Sequence, residues 1–524
     1  MTTNHGRHFR FSRTMLALVC LLAVAWTPVG QAAPELSGNV PLGSYVYGYL
    51  DKLDGLGLLS AMPPADRPYS RWQVAVWLLE MEKNLAKQPR PSALARAMLA
   101  DLRRELSPEV ARLSAGRSAP EPRLREWTAG VVSYDGDAAG YPAGRGSWQP
   151  LNPNGQGYRW NQGMNAYASF VWEGAIGGDA WLSLTPRFGW GEKDGAAATL
   201  QSGYVKLRSG NTEFLLGKDA MAWGQGRMGN LLLSDNATPL PRLQVSNIEP
   251  MHYKGLLRHL GAIHTKLFVS VLEDRKKWDG KDIDQPGMLG IRADFQPSPD
   301  FSFGLGYVSM FGGKGIYMGF DDYLKLLSGR TNVWNGQDKW NGIAGLDFRW
   351  RFPALGGMQL YGELYSEDNV IFGDWKADNS RMLGLIAGLY IPRLSPSGNW
   401  DLNLEFASTG SAWYVHGLYT GGYTYGGQLL GDPMGGNAHR YSAKFTHYLD
   451  AKTQIGFRFD RVNQGISRPV QQRTNAIALS VRHRLADDLL MELTGGLASR
   501  DNADFIIGAG KKSKFVSCSI SQRF

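Results

Sequence analysis

The sequence predicts an all-β transmembrane barrel, antiparallel and of about eighteen strands, with a small N-terminal α-helical bundle on its periplasmic side. Three observations predict it. Beyond about residue 125 the apolar residues fall at alternate positions and continue so to the end of the chain. Short connectors alternate with long ones. The last segment sets Val516, Cys518, Ile520 and Phe524 on one face against Ser517, Ser519, Ser521 and Arg523 on the other, with only Gln522 breaking the greasy row, as in a closing barrel strand.

Residues 1–32 read as a cleaved signal peptide. Arg7, Arg10 and Arg13 form its basic region, and an apolar run from Met15 to Trp26 follows, too short to remain as a membrane span. Small residues at Gly30 and Ala32 place cleavage after Ala32, and Cys20, behind Leu18 and Val19, lacks the small neighbour that a lipidation site requires. Cys518 is then the single cysteine of the mature chain, which excludes an intramolecular disulfide. The composition fits a barrel: 65 glycines, 22 tyrosines, 21 phenylalanines and 17 tryptophans among 524 residues, with a mean hydropathy of -0.28. That is too polar for a helical membrane protein, and a barrel has this balance because every second residue faces a polar lumen. The formal charge is +9, of which +6 stays after the signal is removed, with no basic tract of the kind that binds nucleic acid.

Residues 33–120 form the expected helical bundle. Tyr45, Tyr49, Leu53 and Leu56 recur at three- and four-residue spacing. Ser70 and Gln73 make a capping box before Val74, Trp77, Leu78 and Met81; Ser92 caps a helix from Ala93 to Leu106, and Pro108 opens one further turn. The stripes are one-sided, so packing within the bundle is the plain role of their apolar members.

The barrel occupies residues 125–524. Ala344, Leu346, Phe348, Trp350 and Phe352 alternate with Asp347, Arg349 and Arg351; Leu402, Leu404 and Phe406 with Asn403 and Glu405; Ile477, Leu479 and Val481 with Ser480, Arg482 and Arg484. Short connectors such as 174–178, 353–357 and 450–452 are expected to alternate strictly with long ones at 134–162, 218–251, 272–285, 312–340, 367–380 and 407–440. Residues 251–260 alternate poorly and form the weakest strand of the count. The lumen-facing charges, among them Glu173, Arg187, Asp347, Glu363, Glu405, Arg458, Asp460 and Arg482, are of both signs. They are expected to pair across neighbouring strands, whereas a wide anion-selective pore would show one sign dominating.

The loops bring aromatics and cations together. Lys276 and Lys277 precede Trp278, and Trp413, Tyr414, Tyr419, Tyr423 and Tyr425 stud a glycine-rich stretch. Sugars lay apolar C–H faces on aromatic rings, and acidic sugars add carboxylates for ammonium and guanidinium groups, so such loops suit a polysaccharide. For strand-end aromatics the plainer reading is the interfacial girdle of any barrel. The longest loop reads Lys218-Asp219-Ala220-Met221-Ala222-Trp223-Gly224-Gln225-Gly226-Arg227, then Asn230-Leu231-Leu232-Leu233-Ser234-Asp235-Asn236-Ala237 and Pro239 to Arg242. Together with Val40-Pro41-Leu42-Gly43-Ser44 and Arg67-Pro68-Tyr69-Ser70-Arg71, this resembles the Wzi family of outer-membrane capsule-assembly proteins over essentially the whole mature chain. The resemblance implies an eighteen-stranded barrel, occluded by its bundle and inward-folded loops, that holds capsular polysaccharide on the cell as a surface lectin.

The candidate polysaccharide-binding residues are therefore Lys218, Trp223, Arg227, Ser234, Asn236 and Arg242 of the motif loop, with Lys276, Trp278 and Tyr423. The alternative for the motif-loop set is that they fold the loop itself. No catalytic arrangement, metal spacing or cofactor motif stands out: the mature histidines lack an H-x-x-x-H pair, and Asp279, Asp282 and Asp284 lack a full calcium-loop pattern. The expected partners are capsular or extracellular polysaccharide and outer-membrane lipid, with the protein a monomer and not an enzyme. A diffusion channel or substrate-selective porin is the alternative function.

Overall fold

The computed structural model describes residues 35–116, 118–142, 146–276, 282–329, 339–368, 377–450 and 452–524. Residues 1–34, where a signal peptide is expected, and Trp278 lie outside them. Eighteen antiparallel strands close into one barrel. In chain order they are β1 (Arg123–Asp135), β2 (Gly163–Gly177), β3 (Ala180–Gly191), β4 (Gly195–Ser209), β5 (Thr212–Lys218), β6 (Pro241–Asn247), β7 (Ala262–Val271), β8 (Gly287–Ser298) and β9 (Phe301–Phe311). The second half comprises β10 (Trp340–Phe352), β11 (Met358–Glu367), β12 (Leu383–Ile391), β13 (Trp400–Thr409), β14 (Ala438–Tyr448), β15 (Thr453–Gln464), β16 (Gln472–Ala486), β17 (Leu489–Asp501) and β18 (Gly510–Arg523). Each pairs with its sequence neighbour, and β18 closes on β1 in a register running from Glu126 opposite Arg523 to Asp135 opposite Lys514.

The two-residue period becomes an inside and an outside. Leu216, Phe188, Leu479, Leu497 and Val516 are exposed on the outer wall, and Trp172, Trp350 and Trp400 stand there close to the short turns. An apolar exterior with aromatics at its rim is what a barrel presents to lipid. Within the described residues, no helix is long and apolar enough to cross a membrane.

Two expectations about connectors need correction. Strict short-long alternation fails at the loop end: residues 192–194 join β3 to β4, 465–471 join β15 to β16, and 502–509 join β17 to β18. Glycines permit these tight reversals; Gly195, Gly465 and Gly508 have φ of 73°, 73° and 76°. The weak strand at 251–260 is instead a turn-end connector containing a 3-10 turn, Gly255–Leu260, and the strand belongs at β6, inside the stretch read as loop. β6 has only 7 residues, too few for its alternation to stand out beside the leucine-rich motif.

The helices follow the sequence closely: α1 (Tyr45–Gly55), α2 (Arg71–Ala86), α3 (Ala93–Glu105) and α4 (Ser107–Ala115). Ser70 Oγ accepts the Gln73 N–H at 3.1 Å while Gln73 Oε1 accepts the Ser70 N–H at 3.0 Å, the reciprocal box that satisfies two orphan donors. Ser92 Oγ accepts the Ala95 N–H, and Gly116, left-handed, ends α4. Val46, Leu53, Val74, Leu78, Met81 and Leu102 make the bundle core.

Inward-pointing arginines of the wall hold the bundle at the short-turn end. Arg351 Nη1 donates to Asp54 Oδ1 at 2.9 Å, Arg349 Nη2 donates to the Pro63 carbonyl at 2.7 Å, Arg523 pairs with Glu105 at 2.5 Å, and Arg484 pairs with Asp101. Burial pushes the Glu105 carboxyl upward, but the guanidinium groups of Arg523, Arg71 and Arg125 outweigh it and hold the group well below the usual carboxylate range.

Candidate functional site

The largest core of the molecule lies inside the barrel and is built by its loops. Residues 219–240, between β5 and β6, fold down into the lumen. Glu363 of β11 catches their tip: Oε1 accepts the Gly226 N–H at 2.7 Å and an Asn230 Nδ2–H at 3.1 Å, and Oε2 accepts the Leu231 N–H at 2.9 Å. Gln225 donates to Asp347 at 2.9 Å, and the Arg227 N–H donates to Glu405 at 2.8 Å. Gly224, at φ 131°, brings its backbone so near Glu363 that a Cβ there would collide with the carboxylate.

The loop 410–437 then locks over this one. Tyr414 Oη donates to the Leu231 carbonyl at 2.6 Å and Tyr423 Oη to the Leu232 carbonyl at 2.8 Å, their rings stacked with centroids 5.4 Å apart. Tyr419 Oη reaches the Gly312 and Lys339 carbonyls, each at 3.1 Å. Burial pushes all three phenols well above their ordinary range, so they stay protonated donors. The lumen charges pair, though only some across neighbouring strands as expected. Arg440 reaches Glu405 on the next strand at 2.8 Å, but also Asp432 of the loop at 2.7 Å. Arg292 reaches Asp294 on its own strand at 2.6 Å and Asp347 two strands away at 2.8 Å. Arg187 departs from this pattern: its guanidinium lies between the rings of Tyr158 and Tyr167, at 4.0 and 3.9 Å, with no carboxylate partner among the described residues.

Most of the candidate residues are thus interior. Trp223 is 0% exposed and packs edge-on against Phe268, with centroids 5.2 Å apart. Arg227 lies 3.9 Å over the Tyr390 ring and 3.4 Å from Asp51 of α1, tying the loop to the bundle. Ser234 donates to the Gly431 carbonyl at 2.5 Å, Asn236 to the Leu429 carbonyl at 2.9 Å, and Arg242, a residue of β6, to Gln244 at 2.9 Å. Lys218, at the top of β5, donates to the Leu200 carbonyl at 3.0 Å. Lys276 sits in a two-residue ladder, Arg275–Lys276 against Asp282–Ile283, and its side chain, like Trp278, falls outside the described residues. These contacts give the motif loop the task of filling the lumen, and they bury Tyr423 with it.

Above the filled lumen, at the loop end, the chain leaves a groove of about 240 Å³. Tyr141, Trp413 and Thr424 line it together with Ser411, Ser467 and Arg468. Asn437 fixes its floor: in the left-handed region at φ 54°, it accepts the Ser467 N–H at 3.0 Å through Oδ1, donates to Ser467 Oγ at 3.0 Å, and sends its own N–H to the Gly410 carbonyl at 2.8 Å. Arg468 is exposed, lies 4.8 Å over the Phe505 ring, and has no ion-pair partner among the described residues. The groove therefore offers aromatic rings, hydroxyls and one uncommitted guanidinium, a set suited to an oxygen-rich and anionic polymer. Ser467 and Arg468 carry no signal in the sequence because Ser467-Arg468-Pro469 sits in a short connector, and Asn437, within the long stretch 407–440, is a single amide after two glycines with no charge or ring to mark it. Among the described residues, no three His, Cys, Asp or Glu side chains are grouped to hold a metal ion.

Comparison with known proteins agrees with this architecture. Escherichia coli Wzi, described as an outer-membrane, carbohydrate-binding β-barrel involved in group 1 capsule assembly, superposes with a TM-score of 0.67 over 93% of this chain and 100% of its own, at 18% identity. Pseudomonas aeruginosa OprD superposes with a TM-score of only 0.44 over 76% of this chain and 95% of its own, at 9% identity. A Klebsiella pneumoniae relative, an uncharacterised 55.8 kDa protein of the cps region, is 23% identical over 310 residues, covering 58% of this chain and 55% of its own length. This chain thus spans about half the length of that curated relative. A family model for the capsule assembly protein Wzi matches residues 144–513, from the first long loop into the last strand, and the chain belongs to that family.

Proposed function

We propose that this barrel binds surface polysaccharide at its loop end and takes part in assembling or attaching capsule or exopolysaccharide at the cell surface, as a binding protein rather than an enzyme. The observation that carries the reading is the loop-end groove, where Tyr141, Trp413, Ser467 and Arg468 converge above a lumen already filled by residues 219–240. E. coli Wzi, a carbohydrate-binding member of the same family, supports it. A long polymer touches many copies of such a barrel at once, so a weak site suffices to retain the layer through avidity. The uncommitted Arg468 points to an acidic polymer.

The test is retention of the layer. Deletion of the gene leaves polymer synthesised and exported but shed into the medium, and Arg468→Ala with Tyr141→Ala reproduces part of that loss. Unchanged cell-bound polymer in the deletion strain refutes the proposal.

A further inference from the structure

The connector from β9 to β10, at the loop end, carries a fifth helix, α5 (Phe320–Leu327). Its seat is the outside of the barrel. Met288 and Met310 belong to the lumen core and stand opposite one another on β8 and β9, so Leu289, Ser309 and Phe311 beside them point outward. Trp340, opposite Phe311 on β10, points outward as well. All four are nevertheless buried, Ser309 to 1% exposure. Leu326 of α5 joins Leu289, Phe311 and Trp340 in one apolar cluster, with Tyr323, Leu327 and Met318 packed against it. The Tyr323 ring meets that of Phe311 edge-on, with centroids 6.2 Å apart. Asp322 ties the start of the helix to the barrel, its Oδ2 accepting the Gly319 N–H at 2.9 Å and a Lys339 Nζ–H at 2.8 Å.

This packing uses only part of the apolar surface of α5. At about 100° per residue, Leu326, Tyr323, Leu327, Phe320 and Leu324 share an arc of about 160°, and Asp321, Lys325 and Asp322 fill the opposite side. The first three face the wall. Phe320 and Leu324 do not: they are 69% and 48% exposed, and Tyr317, just ahead of the helix, is 84% exposed. The height of the helix on the wall says what covers them. Trp350, exposed on the outer wall close to the short turns, lies ten residues along β10 from Trp340. Ten residues of a strand tilted by about 45° climb about 24 Å, close to the ~25 Å apolar band of a barrel. The helix therefore sits where that band ends at the outer face. Its bare side continues the lipid-facing wall, on which Leu305 and Phe348 are exposed lower on the same two strands.

We propose that α5 is an interfacial helix seated in the outer leaflet, with Tyr317, Phe320 and Leu324 among the lipid acyl chains and the paired Asp321 and Lys325 toward water. A helix of this kind is held by the apolar area it buries at the boundary between headgroups and chains. The inference rests on the place of the barrel in the outer membrane and is independent of the polysaccharide reading.

The experiment puts a nitroxide at position 324 or 320, through Leu324→Cys or Phe320→Cys in a Cys518→Ser background, on the full chain in dioleoyl-phosphatidylcholine vesicles. Collision with molecular oxygen, which concentrates among acyl chains, is compared with collision with a nickel chelate, which stays in the water on both sides. Leu305→Cys marks the exposed wall and Lys314→Cys, at an exposed loop position, marks water. The oxygen-to-nickel ratio at 320 and 324 is expected to lie at least about five-fold above that at 314 and to approach that at 305. Tyr317→Asp with Phe320→Asp should return the label at 324 to the value at 314, while the barrel still migrates as a folded species in unheated gels. Ratios at both positions equal to that at 314 overturn the proposal. So does exclusion of both reagents, which places a second copy on the face instead of lipid. A ratio at 324 unmoved by the two aspartates overturns it as well, because the label and not the helix face then seeks the lipid.

Discussion

Glu363 shows how a lumen-facing charge, legible in the sequence as one of a mixed set, acquires its purpose only in three dimensions. Its carboxylate accepts from Gly226, Asn230 and Leu231, residues more than a hundred positions away in the chain. Alternation says that Glu363 points inward; it does not say that a loop comes down to meet it. Replacing it by leucine leaves three donors unsatisfied in a closed interior and should cost on the order of 3 kcal/mol or more, whereas Glu363→Gln keeps two acceptor contacts and costs about 1. The measurement is the thermal midpoint in detergent together with protease cleavage between residues 224 and 231; a Leu variant as resistant as the parent would refute the anchoring role. Arg468 is the opposite case, a cation that lies over the Phe505 ring and has no ion-pair partner among the described residues. Arg468→Ala should weaken binding of purified acidic polymer about five-fold at low salt and by less at high salt, because an exposed pair is screened. Salt-independent loss in a titration of the purified protein would argue against a charge contact.

At the scale of elements, what was legible was local. The helices announced themselves through caps and three- to four-residue spacing, and Ser70 with Gln73 forms the box that their spacing implies. Ser70→Ala should destabilise the bundle by about 1 kcal/mol, read as a lowered first transition in a thermal melt of the bundle tryptophans. The strands were legible where alternation ran long, and β6 was lost because 7 residues beside a leucine run do not establish a period. How the bundle docks could not be read, since it rests on pairs such as Arg523 with Glu105, at opposite ends of the chain. That docking carries a pH dependence. Because Glu105 is held below its ordinary value of 4.5 in the folded protein, the unfolded state binds more protons in that range. Its contribution is complete above pH 4.5 and is lost as the pH falls below it. Protease sensitivity of α3 should therefore rise on acidification, and Glu105→Gln, which lacks the titrating group, should flatten the profile; an unchanged profile in that variant would assign the effect elsewhere.

For the whole molecule, the cylinder was legible and its contents were not. Periodicity fixes which residues face out, and that apolar exterior belongs in the bacterial outer membrane, but an eighteen-stranded ring is wide enough to conduct or to be filled. Two fillings stand in series here. The bundle covers the short-turn end through Arg351, Arg484 and Arg523, and the loop 219–240 occupies the lumen above it, bridged to α1 by Arg227 and Asp51. Series obstruction makes a non-additive prediction. The intact protein should show no large steady currents in a planar bilayer, and neither removal of residues 35–116 nor replacement of 221–239 by a short glycine-serine linker should open it fully, because each leaves the other barrier in place. The double deletion also releases the loop 410–437, whose tyrosines lose the Leu231 and Leu232 carbonyls, and it should conduct in large, long-lived steps. Large currents from the intact protein would support the porin reading in place of the binding one, and a silent double deletion that still folds as a barrel would mean that the lumen is closed by something other than these two elements.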